Sequence, residues 1–187
     1  MLSTEQHGNA TVVRLTSDDD TNRLTSARVI ELTQAIARAS GPLILTGNHR
    51  FFSAGADLNE ISALTGPSAY DFAQLGQRLM RAVADYPALT IAAISGYCMG
   101  GGLDLALACD LRICAPNAIF GHRGAALGIM TGWGGTQRLP RLIGRARALQ
   151  MFLTAEKLHA AEALRIGLVD RIADDPLPAA LAIASNP

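Results

Sequence analysis

Along the chain, short apolar runs alternate with segments whose apolar residues recur at helical spacing, so strands are interleaved with helices. Residues 11–15, Leu43–Thr46, 91–95, Leu111–Cys114 and 118–123 read as strands, bounded by turn residues such as Gly47, Asn48, Pro116 and Asn117. Residues 26–39 predict an amphipathic helix with Val29, Ile30, Leu32, Ile36 and Ala37 as its apolar positions. Residues 67–86 predict another, with Tyr70, Ala73, Leu75, Leu79, Met80 and Val83 facing inward and Pro87 ending it. Its methionine and aromatic positions read as core rather than ligand contacts. Further helices are expected at 133–143 and 145–153, broken at Gly144, and at 160–166 before Gly167.

Two of the strands lead into glycine turns. Residues 91–110, IAAISGYCMGGGLDLALACD, run from strand through a turn at Gly96 and the glycines Gly100, Gly101 and Gly102 into a helix. Glycines let a ligand approach the backbone, and a helix start leaves N–H groups without intrahelical partners. Such groups hold an oxygen that becomes negative. Taken alone, the same glycines equally serve a sharp turn or close helix packing. Residues 51–60, FFSAGADLNE, repeat the arrangement. Asp57 is placed to cap a helix beginning at Leu58, which leaves the Ala56 N–H pointing outward beside Gly55. Two such starts can converge on one oxygen.

Composition narrows the classes. The chain has 187 residues, 49% hydrophobic and 17% charged, enough for one domain with a substantial core spanning 1–187. Its 16 basic and 16 acidic residues cancel, and neither sign forms a long run, so neither a nucleic acid nor an anionic membrane is an expected partner. Small molecules and copies of the same chain are. Cys98, Cys109 and Cys114 have no C-x-x-C spacing, which suggests neither a disulfide framework nor a metal site. With no export or spanning segment legible, a cytoplasmic setting is expected.

The two glycine stretches together resemble the crotonase (enoyl-CoA hydratase/isomerase) superfamily: FSAGADL at 52–58 and GYCMGGGLDLALACD at 96–110 carry its two oxyanion segments. GIMTGWGGTQRLPRLIGRARALQMFLT at 128–154 matches a third block, and 158–172 a fourth, so the resemblance covers roughly 10–185. It implies an α/β fold of the ClpP/crotonase type, a β-β-α spiral, and the acyl-CoA chemistry of fatty acid metabolism. It also implies oxyanion donors at the backbone of Ala56 and Gly101, with Ala54, Gly55, Asp57, Gly100 and Thr131 around the substrate. Coenzyme A enters as part of the substrate, with no separate cofactor and no metal. Relatives of this kind continue into helices that cover the acyl pocket and join subunits into trimers. The fold is expected here without that C-terminal helical extension, and the assembly as a homotrimer or a dimer of trimers.

Departures from the family pattern shape the chemistry. The acidic run Asp18, Asp19, Asp20 lies where the resemblance implies a basic residue near phosphates; it reads either as repelling a phosphate-rich ligand or as a solvated loop. Asp104, three residues after Gly101, is expected to point along the same helix face and to carry a proton, or merely to complement the helix dipole. The second family glutamate maps onto Gly124, which has no group to take a proton. Two-carboxylate hydration is therefore disfavoured against isomerisation or decarboxylation. The alternative is a relative that binds an acyl thioester or a partner protein without turnover. His122, expected on one strand face with Phe120 and Gly124, and Thr131 are the candidate substitutes. His7, His49 and His159 read as surface residues. Arg138, Arg141, Arg145 and Arg147 read as a solvated face or a contact for a phosphate or a neighbouring subunit.

Overall fold

The computed structural model describes residues 2–185. β1 (Leu2–His7) and β2 (Ala10–Leu15) pair as an antiparallel hairpin, Leu2 opposite Leu15 and His7 opposite Ala10. β1 was not anticipated: its sequence LSTEQH is polar and mostly exposed at a sheet edge, so no apolar alternation betrays it. α1 (Ser26–Arg38) follows, its Thr25 side chain accepting from the Arg28 N–H. It buries Val29, Leu32, Ala35 and Ile36, whereas Ile30 and Ala37 turn outward. Each is one residue, about 100°, off the buried stripe.

Successive β-β-α turns then build the body. β3 (Leu43–Thr46) and β4 (Phe51–Ser53) lead into α2 (Leu58–Ser62) and α3 (Gly66–Ala84). β5 (Thr90–Ile94) and β6 (Tyr97–Met99) lead into α4 (Gly101–Ala108). β7 (Leu111–Cys114) and β8 (Ile119–Gly121) lead through the 3-10 helix Gly124–Leu127 into α5 (Gly135–Ile143) and α6 (Arg145–Thr154). β9 (Leu158–His159), α7 (Ala160–Arg165), β10 (Arg171–Ile172) and α8 (Pro176–Ala184) complete the order. The first strand of each turn enters a six-stranded sheet, β1-β2-β3-β5-β7-β10; the second enters a four-stranded sheet, β4-β6-β8-β9. This is the expected β-β-α spiral.

Side-chain alternation explains why β3 and β5 are apolar throughout. Leu43, Leu45, Ala92 and Ile94 point into the main core, while Ile44, Ile91 and Ala93 point to the opposite face, where Ala180 and Ala184 of α8 cover them. α4 lies inside the main core with every residue buried, which an all-round apolar helix requires.

Three expectations are corrected. Tyr70 on α3 is 67% exposed; the buried residues of that helix are Gly76, Leu79, Met80 and Val83. α5 begins at Gly135 rather than 133, because Gly134 has φ 105°, outside a right-handed helix. The strand expected over 118–123 ends at Gly121, since its partner β6 ends at Met99. There Gly100, with φ 51°, turns the chain into α4, and its N–H donates to the Gly121 carbonyl at 2.9 Å. His122 and Gly124 thus lie beyond the strand and share no strand face with Phe120.

Candidate active site

The two glycine stretches meet as expected. β4 and β6 run parallel, with Phe51 opposite Tyr97, so the turns that follow them emerge side by side. Asp57 caps α2, its side chain accepting from the N–H groups of Asn59 and Glu60 at 2.9 and 3.1 Å. Leu24 bridges to this segment: its N–H donates to the Gly55 carbonyl, and its own carbonyl accepts from the Asp57 N–H. Those bonds use the groups on either side of Ala56 and leave the Ala56 N–H out of the ladder. Gly101 opens α4, so its N–H has no intrahelical acceptor.

The closeness of the two segments depends on absent side chains. A Cβ on Gly55, which has φ 92°, would lie 2.6 Å from the Met99 carbonyl oxygen and 3.0 Å from the Gly101 nitrogen. One on Gly101 would lie 3.3 Å from the Ala56 nitrogen. Ala56 and Gly101 therefore sit side by side on the wall of a cavity of about 590 Å³. Such a pair of donors suits an oxygen that gains negative charge.

Asp104, His122 and Thr131 stand on the same cavity wall. Asp104 has no exposed surface. The Thr131 hydroxyl donates to its Oδ2, and His122 Nε2 lies 3.3 Å from its Oδ1. That last approach is close but poorly aligned, and both Oδ1 and Nε2 remain buried without a hydrogen-bond partner. The His122 ring packs against Phe152, with centroids 5.1 Å apart.

Gly124 also lines the cavity, but the direction its side chain would take is occupied. A Cβ there would collide with the Ile129 carbonyl oxygen, held in place by the Ile129 N–H donating to the Gly124 carbonyl at 3.0 Å. The position lacks both a carboxylate and the room for one. Ala54 and Gly100 lie on the wall with Ala56 and Gly101; Gly55 and Asp57 stand behind it and shape the backbone.

Phe72 and Trp133 form the apolar side of the cavity, with Leu58, Ile61 and Met130 nearby. Phe72 packs against the main core, as expected of an α3 aromatic, and also lines the cavity. Trp133 Nε1–H donates to the Phe72 carbonyl at 3.2 Å, and the two rings are 5.2 Å apart. The indole lies over Gly101, whose Cβ would come within 2.6 Å of it. In the sequence, Trp133 is one apolar residue near a helix start; the neighbouring Gly132 and Gly134 were the available signal that it is held at a turn.

The acidic run is a surface loop. The Asp19 carboxylate accepts from Arg23, Ser17 and Thr21. These bonds, that from Arg23 foremost, hold its pKa well below the usual carboxylate range. Arg23 also stands 3.3 Å from Asp57, so a cation faces the first glycine segment despite the aspartates. His7, His49 and His159 are exposed. Arg138 and Arg141 line a second cavity of about 480 Å³ with Arg81, behind the 131–133 segment. Arg147 pairs with Glu162 at 2.5 Å.

Among the described residues, no cluster of three or more His, Cys, Asp or Glu is placed to hold a metal ion. No helix among them is long and apolar enough to cross a membrane.

Known proteins resemble this chain in sequence and fold. A sequence model of the enoyl-CoA hydratase/isomerase family matches residues 5–178. A probable enoyl-CoA hydratase of Mycobacterium leprae is 40% identical over 185 residues, covering 94% of this chain and 70% of that protein. A crotonyl-CoA hydratase of Syntrophomonas wolfei is 41% identical over 157 residues, covering 81% and 60% respectively. Among solved structures, Pseudomonas aeruginosa DspI superposes with a TM-score of 0.93 at 38% identity, over 98% of this chain and 73% of that one. An enoyl-CoA hydratase from Bacillus anthracis gives 0.93 at 34% identity, over 98% and 75%. The chain thus spans 60–70% of the length of these two curated relatives. With a family match over most of its length and a relative 40% identical that it covers to 70%, this chain belongs to the enoyl-CoA hydratase/isomerase (crotonase) family.

Proposed function

We propose that the protein acts on an acyl-CoA thioester, using the N–H groups of Ala56 and Gly101 to stabilise an enolate while Asp104 moves a proton. The observation that carries this reading is the presence of those two donors and the buried Asp104 on one cavity wall. In an isomerisation, the carboxylate takes a proton from the α-carbon, and the C–H electron pair passes into the thioester carbonyl as an enolate. The same proton then returns to the γ-carbon, which shifts the double bond. Donors aimed at the developing charge lower this barrier more than they favour substrate binding. Coenzyme A enters with the substrate. The apolar wall of Phe72, Trp133 and Leu58 suits the acyl chain.

Hydration by two carboxylates is disfavoured. Water addition of that kind needs a second carboxylate, and Gly124 has no space for one. Isomerisation, or decarboxylation with loss of carbon dioxide to the same enolate, needs fewer groups. The blocked position also favours a second reading, in which the protein binds acyl thioesters without turning them over. A panel of enoyl-, dienoyl- and malonyl-type CoA thioesters, assayed for turnover and for binding side by side, separates the two. Turnover of any member supports the enzyme; tight binding with no turnover anywhere supports the second reading.

The same account includes self-association. Leu149 and Leu153 on α6 are 51% and 65% exposed, an apolar surface suited to another copy. Light scattering at micromolar concentration should give a multiple of the chain mass, and a monomer would contradict it.

A further inference from the structure

We propose that His122 is the second proton-carrying group of this site, acting as one unit with Asp104, and that Gly135 is the residue that lets the two meet. The proposal rests on the enolate reading above and adds the group that Gly124 does not supply.

Three observations carry it. Asp104 Oδ1 and His122 Nε2 are both buried, both lack a hydrogen-bond partner, and lie 3.3 Å from each other. An unpaired buried polar atom is destabilising, and two of them side by side call for a reason. A proton shared between carboxylate and imidazole, or a substrate group that reaches both from the cavity, satisfies both. Second, the partners around the pair leave these two atoms free: Thr131 occupies the other carboxylate oxygen, and Phe152 packs against the imidazole as an apolar wall. Third, the approach is possible only because residue 135 has no side chain. A Cβ there would collide with Asp104 Oδ1 and lie 3.0 Å from both His122 Nε2 and Thr131 Cγ2. Three side chains from separate elements thus converge over the first residue of α5.

The cycle balances without a further reagent. Asp104 takes the α-proton as the C–H pair moves into the enolate. The proton passes from Oδ1 to Nε2, giving carboxylate and imidazolium, and His122 exchanges it with solvent or returns it. Asp104 has no exposed surface of its own, while His122 keeps 4%, so the imidazole rather than the carboxylate is the group through which the proton is renewed.

The test is α-proton exchange of a saturated acyl-CoA thioester in D2O, followed by NMR, with binding and melting curves measured alongside. Wild type should incorporate deuterium. His122→Gln should exchange about 10²-fold more slowly, within the usual contribution of an acid–base group, with thioester affinity retained. His122→Ala should regain exchange when imidazole is added. Gly135→Ala should also slow exchange, although it keeps both side chains. Wild-type exchange in His122→Gln overturns the pair and leaves the enolate reading intact. No exchange in wild type despite binding overturns both. A lowered melting temperature with unchanged exchange assigns His122 to structure alone and overturns the proposal as well.

Discussion

Thr131 donates its hydroxyl hydrogen to Oδ2 of Asp104, joining a loop to a helix residue 27 positions earlier in the chain. This bond fixes one carboxylate oxygen and leaves the other facing the imidazole. Thr131→Val keeps the shape and removes the donor, which leaves a buried carboxylate oxygen unsatisfied. Stability should fall by about 1–3 kcal/mol, read by denaturant unfolding, while Thr131→Ser retains most of it. Equal stability in the valine variant would mean that the hydroxyl contributes nothing there.

Gly101→Ala adds a methyl group 2.6 Å from the indole of Trp133, the only tryptophan in the chain. Overpacking of this kind costs about 1–3 kcal/mol. The shifted backbone should lose its hold on the oxyanion, lowering turnover by about 10²–10³. Fluorescence reports the movement of Trp133 directly. An unchanged emission spectrum together with unchanged kcat would contradict the close packing described.

Gly124→Glu supplies the carboxylate that two-base hydration needs, but its Cβ meets the Ile129 carbonyl. The variant should melt at a lower temperature and hydrate crotonyl-CoA no faster than wild type. Faster hydration at an unchanged melting temperature would show that the 128–130 segment yields freely.

Burial pushes the Cys109 thiol up to about 12 and that of Cys114 up to about 11, from 9.0. Folding therefore holds these groups protonated where the unfolded chain would ionise. The contribution to stability is complete below pH 9 and is lost as pH rises through about 11 to 12, because there the native state binds more protons than the unfolded one. Stability measured by urea titration should decline across that window. Cys109→Ala should flatten the decline; an equally steep slope would contradict the assignment.

Much of the fold was legible because its strands and helices carry the periods that burial imposes. Leu43–Thr46 reads as apolar because sheet and helix cover both its faces, and Asp57 reads as a cap because its side chain serves the first N–H groups of α2. The two segments that meet at the cavity are legible as glycine turns placed after strands. What stayed hidden depends on distance in space. The Cβ-free positions of Gly101 and Gly135 matter through Trp133, Asp104 and His122, which approach them from other elements. The end of β8 at Gly121 is set by the turn of its partner strand at Gly100, which no local pattern encodes. Polar β1 gives no signal because it pairs along one edge and leaves most of its side chains exposed.

The central claim is that Asp104 moves the proton while Ala56 and Gly101 hold the oxygen, and Asp104→Asn tests it most directly. The substitution keeps size and hydrogen bonding and removes the basic carboxylate. For whichever thioester is turned over, kcat should fall by about 10²–10⁴, with affinity nearly unchanged because the N–H groups remain. If Asp104 only complements the start of α4, the cost is about 0.3–1 kcal/mol of stability. Unchanged kcat with a lowered melting temperature would contradict the account.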